Sequence, residues 1–155
     1  MAKMNPIPEG CHSVQPYLIF AGCEKAMDFY AMAFGARELM RMKAPDGRIG
    51  HAEMQIGDSR IMMADEHPEI EAFGAKHYGG SPVSLMFYTA DCDVMYKQAL
   101  VAGAESLREP ADQPYGIRMS GVQDPFGYKW WIGTQIKALS VGEMQEATLA
   151  THGTV

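Results

Sequence analysis

The sequence has no run of about 18 consecutive apolar residues, so no helix that crosses a bilayer is expected. Its opening, MAKMNPIPEG, lacks the charged and apolar regions of a signal peptide, and a cytoplasmic protein is the expectation. Cysteine is scarce. Cys11, Cys23 and Cys92 are odd in number, far apart and without a CxxC pair, which argues against a disulfide framework and a cysteine zinc site. They read as small buried hydrophobes. Basic residues are also few: 13 Lys and Arg against 19 Asp and Glu give a formal charge of -6, with no basic cluster to meet a phosphate backbone. Nucleic acid is therefore not an expected partner. No Gly-rich turn of the Rossmann type follows the first strand.

What is present is a chain of 155 residues with 47% hydrophobic composition, long enough to bury roughly two thirds of its unfolded surface. Its 13 methionines supply flexible, polarizable side chains that fill cores or line adaptable pockets. Residues 14–20 alternate as a strand, with Gln15, Tyr17 and Ile19 on one face. A helix follows over residues 24–34, where Ala26, Phe29, Tyr30, Ala33 and Phe34 recur at helical spacing and Gly35 suits a left-handed C-terminal cap. Three strands come next, at 37–42, 48–56 and 60–64, separated by turns at Pro45-Asp46-Gly47 and Gly57-Asp58.

The same order recurs after a polar connector over residues 65–80. A strand at 83–89, a helix capped by Asp91 or Asp93 and closed by Gly103, and strands at 106–108, 117–122 and 129–134 make a second set. At a shift of about 68 or 69 positions the halves match at Val14/Val83, Ala21/Ala90, Cys23/Cys92, Gly35/Gly103, Ala36/Ala104 and Leu39/Leu107. Ser140-Val141-Gly142-Glu143 has capping-box spacing, which places a short helix in the tail. The fold class expected is α+β, from two βαβββ modules.

The segments HSVQPYLIFAG, AMDFYAMAFGAREL, PDGRIGHAEMQIGDSRIMMADE, GGSPVSLMFYTAD and GVQDPFGYKWWI resemble a PhnB-like member of the vicinal oxygen chelate superfamily, which includes glyoxalases and bleomycin-resistance proteins. The resemblance covers residues 10–139, with modules at about 12–66 and 81–136 and residues 140–155 as a C-terminal helix and tail. It implies a curved mixed sheet around a pocket, helices on the outer face, and a homodimer. Metal-dependent members place ligands on the first and last strand of each module. Carried over by position, these fall on Gln15, on the stretch Arg60 to Met63, on Ser84 or Met86, and on Trp131. Only Gln15 is a plausible donor, so the standard metal site is expected to be missing. The DPFGH stretch of such proteins reads here Asp124-Pro125-Phe126-Gly127-Tyr128, without the histidine.

Period two puts His51, Glu53 and Gln55 on one strand face and Ala52, Met54 and Ile56 on the other. In a pocket, His51 can serve as a general base oriented by Glu53, or both can hold a metal with Gln15. On an exposed face they are merely solvated. Tyr17, Tyr88, Tyr115 and Trp131 can stack on an aromatic or cationic ligand, with Met63 and Met86 as further pocket candidates. Trp130 is assigned to the helix side. Arg118 can pair with an anionic substrate, with Glu53, or in a structural ion pair. His67 and His77, in the connector, are read as part of a mobile solvated loop. The expectation is a small-molecule-binding protein with no cofactor. The alternative is a lyase, isomerase or dioxygenase with a relocated divalent metal.

Overall fold

In the computed structural model, residues 4–152 are described. They fall into two compact units that divide at Tyr78/Gly79. The first contains β1 (Tyr17–Phe20), α1 (Cys23–Phe34), β2 (Arg37–Lys43), β3 (Ile49–Ile56) and β4 (Ser59–Asp65). The second contains β5 (Ser84–Tyr88), α2 (Cys92–Ala102), β6 (Glu105–Asp112), β7 (Ile117–Gln123), β8 (Lys129–Gln135) and α3 (Val141–His152). Each unit is thus a βαβββ module with a four-stranded mixed sheet, in the orders β1-β4-β3-β2 and β5-β8-β7-β6. The chain is α+β.

The order follows from the connections. Hairpins at Gly57 and at Asp124 to Gly127 make β3 antiparallel to β4 and β7 antiparallel to β8. The helix after β1 or β5 is a crossover, so the first strand enters parallel to the last. α1 buries Ala26, Phe29, Tyr30, Ala33 and Phe34 on one sheet face, and Gly35 closes it at φ 65°. Asp91 caps α2 by accepting from the Val94 amide, and Gly103 ends it at φ 115°.

A paired device fixes each helix to its sheet. Gly22 offers no side chain to cap α1. The Asp65 carboxylate at the end of β4 accepts instead from the amides of Gly22 and Cys23, and from Ile49 at 2.6 Å. Thr134, 69 positions later on β8, accepts from the Cys92 amide at 2.8 Å and donates to the Thr89 carbonyl. A carboxylate at a helix N-terminus gains from the exposed amides and the helix dipole together. Burial, and then Asp65, push the Cys23 thiol up to about 12, so it stays protonated as a core side chain.

Some local expectations change. The first strand begins at Tyr17 because Pro16 precedes it, and β6 runs to Asp112 rather than ending at Arg108. The connector is exposed over much of its length, as expected, but it is ordered by local turns and bonds. It carries single turns of 3-10 helix at Pro68–Ile70 and Ala75–Tyr78. Glu69 is bound by Arg48, the Gly74 amide by Glu66, and His77 stacks on Phe73 at 3.8 Å. Short-range polar sequence reads as loop even where long-range partners order it. The tail helix has its capping box, with Ser140 and Glu143 bonded reciprocally.

Asp65→Ala removes three accepted bonds and should cost about 2–3 kcal/mol, against about 1 kcal/mol for Thr134→Val. Urea unfolding midpoints of the two variants check the order. Equal losses would contradict the role given to the carboxylate.

Candidate functional site

In the first unit, α1 covers the sheet face built from Leu18 and Phe20, Ala52, Met54 and Ile56, and Ile61 and Met63. The opposite face carries Tyr17, Met62, Glu53 and Met40 in one cross-strand row, with His51 and Met42 beside it. Across this open face runs a chain of side-chain bonds. The Tyr17 hydroxyl lies 2.8 Å from His51 Nδ1, and His51 Nε2 is 3.3 Å from Glu53 Oε1. Glu53 Oε2 accepts from Arg60 Nη1 at 2.9 Å. Arg60 also reaches Cys11 Sγ and the Glu9 carbonyl. Burial, followed by electrostatic interaction with Cys23 and Glu53, raises the Tyr17 phenol above its ordinary value, so it is a neutral O–H at pH 7.

Met63 does not belong to this face. It is fully buried, paired in register with Leu18 and Ala52 on the helix side, and Met62 takes the open-face place. Gln15 lies just before β1. Its amide nitrogen donates to the Arg60 carbonyl and its oxygen accepts from the His12 amide, so it ties the N-terminal segment to β4.

In the second unit, α2 covers the face that holds Trp130, Ile132, Ser120 and Val122. Trp130 donates its indole N–H to the buried Asp124 carboxylate, which also takes the Phe126 and Tyr128 amides. The open face carries Met86 and Tyr88 on β5, Trp131 and Gly133 on β8, and Ile117, Met119 and Gly121 on β7. Both glycines are spaces that neighbours occupy. A methyl at Gly133 would overlap the Met86 methyl and crowd Ile117, and one at Gly121 would overlap the Trp131 ring.

Beside Met86 and Ile117 the face opens into a cavity of about 970 Å³, lined by Met86, Tyr88, Tyr115, Ile117, Met119 and Met144, with Thr89, Ala90, Thr134 and Gln135. Such a volume suits a drug-sized molecule. No lining side chain is charged. Tyr115 places its hydroxyl 3.9 Å from Met119 Sδ, and Met144 comes from α3. Trp131 lies on the same face beside the cavity rather than in its wall, half-buried over Gly121.

Arg118 points the other way. Adjacent to Ile117 and Met119 on β7, it faces Asp93 on α2, which takes Nε and Nη2, and Asp112 at the end of β6, which takes Nη1 at 2.8 Å. The Arg118 guanidinium beside it holds the Asp93 carboxyl below the usual carboxylate range. Pairing of Arg118 with Glu53 is replaced by two separate ion pairs, since Glu53 has Arg60. Ile117, Met119, Met144 and Arg60 were passed over in the sequence. Alternation from Trp131 through Gly133 to Gln135, and from Ile117 to Gly121, was the signal that could have found the cavity wall.

These modules can be set beside known proteins. A family model described as the Glyoxalase/Bleomycin resistance protein/Dioxygenase superfamily matches residues 14–132. The chain belongs to that superfamily. An uncharacterised protein of Mycobacterium tuberculosis (strain H37Rv) is 33% identical over 138 residues, covering 87% of this chain and 81% of the relative. The crystal structure of TioX from Micromonospora sp. ML1 is 25% identical with a TM-score of 0.62, covering 83% of this chain and 100% of that one. A PhnB protein from Bacillus cereus, described as a putative 3-demethylubiquinone-9 3-methyltransferase, shares the fold with a TM-score of 0.61 at 18% identity over 79% of this chain and 99% of its own.

The positions that the resemblance assigns to metal ligands carry few donors suited to a divalent cation. They hold an amide already bonded at both ends (Gln15), an arginine and two methionines with an isoleucine (Arg60 to Met63), Ser84 or Met86, and Trp131. Carboxylate, imidazole and thiolate donors are missing from the set. Among the described residues, no three His, Cys, Asp or Glu side chains group as a cation cage.

Truncating the buried Met63 to Ala should cost about 2–5 kcal/mol, and Met62→Ala about 1 kcal/mol or less. Denaturant titration of both variants separates core from open face. The reverse order would invert the register.

Proposed function

We propose that this superfamily member is a small-molecule-binding protein that works without the standard metal site and captures an uncharged, largely aromatic ligand in the cavity of its second unit. The observation that carries the reading is the cavity wall: Tyr88, Tyr115, Ile117 and three methionine side chains, with no charge among them. A charged ligand would lose its hydration there without gaining a counter-ion. An aromatic one gains ring contacts with the tyrosines and sulfur contacts with Met86, Met119 and Met144. Tyrosine faces also accept a cation, though no carboxylate in the wall supports one. The superfamily's fold is a small-molecule-binding one, which agrees with this use of the sheet face. The proposal includes a homodimer, as the superfamily resemblance implies.

A metal-dependent lyase, isomerase or dioxygenase centred on Gln15, His51 and Glu53 has less support. Both His51 nitrogens, both Glu53 oxygens and both Gln15 amide atoms have protein partners. A metal would have to break several of those bonds before gaining three ligands.

The neutral fluorophore N-phenylnaphthylamine tests the reading. Its emission should rise saturably with added protein, and Tyr88→Ala should weaken binding roughly two- to twelvefold, the worth of a ring contact of about 0.5–1.5 kcal/mol. Saturation indifferent to Tyr88→Ala and Met119→Ala would move the site elsewhere. Zinc, manganese or nickel should leave the melting midpoint unchanged. A metal-dependent rise that disappears in His51→Ala would favour the enzyme reading.

A further inference from the structure

The open face of the first unit holds a different kind of site from the aromatic cavity. Four side chains from three strands join in one line: Tyr17 on β1, His51 and Glu53 on β3, and Arg60 on β4. Their hydrogen bonds have a direction. Glu53 is buried to 9% exposure and paired with Arg60, so as a carboxylate it can only accept, and His51 Nε2 must carry the proton between them. Nδ1 is then the acceptor of the imidazole, and the Tyr17 O–H donates to it. The raised phenol keeps the proton on the Tyr17 oxygen at rest, so the proton leaves only as that oxygen takes another.

This is the order of a hydroxyl, imidazole and carboxylate relay, with a phenol at the reactive end. The inner end is fixed. Arg60 is held by Glu53, Cys11 and the Glu9 carbonyl, under a segment that passes so closely at Gly10 that a side chain there would meet the guanidinium. The outer end is free to meet a substrate: Tyr17 is 47% exposed, and its neighbours on the face, Met40, Met42 and Met62, are apolar.

We infer that Tyr17, His51, Glu53 and Arg60 form a metal-independent proton-transfer site, acting on apolar carbon acids such as carbonyl or heteroaromatic compounds with an activated C–H. Tyr17 is the catalytic residue and His51 receives the proton through it, while Glu53 and Arg60 are positioning residues. With the substrate in place, the phenolic proton passes to His51 Nδ1 as the Tyr17 oxygen takes the proton from carbon in the same step, so no free phenolate forms. The C–H electron pair remains on the substrate, as an enolate or in the bond that expels a leaving group. One proton is gained by the imidazole and one lost by the substrate, and Glu53 balances the imidazolium formed. Solvent, or the product on its return, removes that proton. No metal, oxidant or further reactant enters.

A nitrobenzisoxazole is a suitable probe, because loss of its ring C–H forms a nitrile, breaks the N–O bond and releases a coloured phenolate. The full-length protein should exceed free imidazole at equal concentration by about a hundredfold. Tyr17→Phe and His51→Ala should each lose at least about tenfold of that rate. In Glu53→Gln the rate should fall and the acid limb of its pH profile should move to lower pH, since the imidazolium loses its partner; loss of packing alone would not move the limb. His77→Ala, a histidine of the connector, should keep the wild-type rate. Nitrogen NMR of the wild type, independent of any substrate, should find His51 protonated at Nε2 with a lone pair at Nδ1. A rate no greater than that of free imidazole, a Tyr17→Phe variant as fast as the wild type, or the opposite tautomer would each overturn the inference.

Discussion

In both units the last strand lies beside the first, and a side chain at its end bonds the start of the helix: Asp65 for α1 and Thr134 for α2. These bonds satisfy amides that no preceding helical turn can reach, and they fix where the helix begins relative to the sheet. Once the helix is fixed, it commits one sheet face to the core. Leu18, Met63 and Met54 in one unit, and Trp130, Ile132 and Val122 in the other, follow from that commitment by strict alternation. The open face is what remains. The residues of the proposed sites lie on it or border it.

The two open faces have diverged although their scaffolds correspond. In the first, Glu53, Arg60 and His51 spend their polar groups on one another, which makes a partly buried charge tolerable because each is paired. In the second, glycines at 121 and 133 let Trp131 and Met86 lie flat across the strands, and the cavity wall beside Met86 is thioether and phenol. The proposed proton-transfer site falls on one face and the proposed apolar capture on the other. The βαβββ frame allows this division, since strand alternation points open-face side chains away from the helix-side core.

Much of this was legible without coordinates. Helix 24–34 announced itself through Phe29, Tyr30, Ala33, Phe34 and the closing Gly35, because a one-sided apolar stripe and a left-handed cap are both local properties. The correspondence of Cys23 with Cys92 marked equivalent helix starts. Side chains one position apart were harder. Met62 and Met63 are the same residue type, and their roles depend on how β4 lies against β1, which no local pattern records. Arg118 attracted notice for its charge, yet its strand position turns it toward Asp93 and away from Met119. The connector is exposed as its polar sequence suggests, yet the bond from Arg48 to Glu69 that helps order it comes from a partner chosen by the fold.

The sequence by itself determined the element order, the repeat, the caps and the alternation that gives each strand two chemical faces, since these depend on backbone geometry and neighbours within a few residues. Tertiary structure alone decided which face is covered, that His51 meets Tyr17 from a strand 34 residues away, and that Met86 fills the space above Gly133. Those outcomes depend on strand register and on the order β1-β4-β3-β2 and its counterpart, where a slip of one residue exchanges the buried face for the open one.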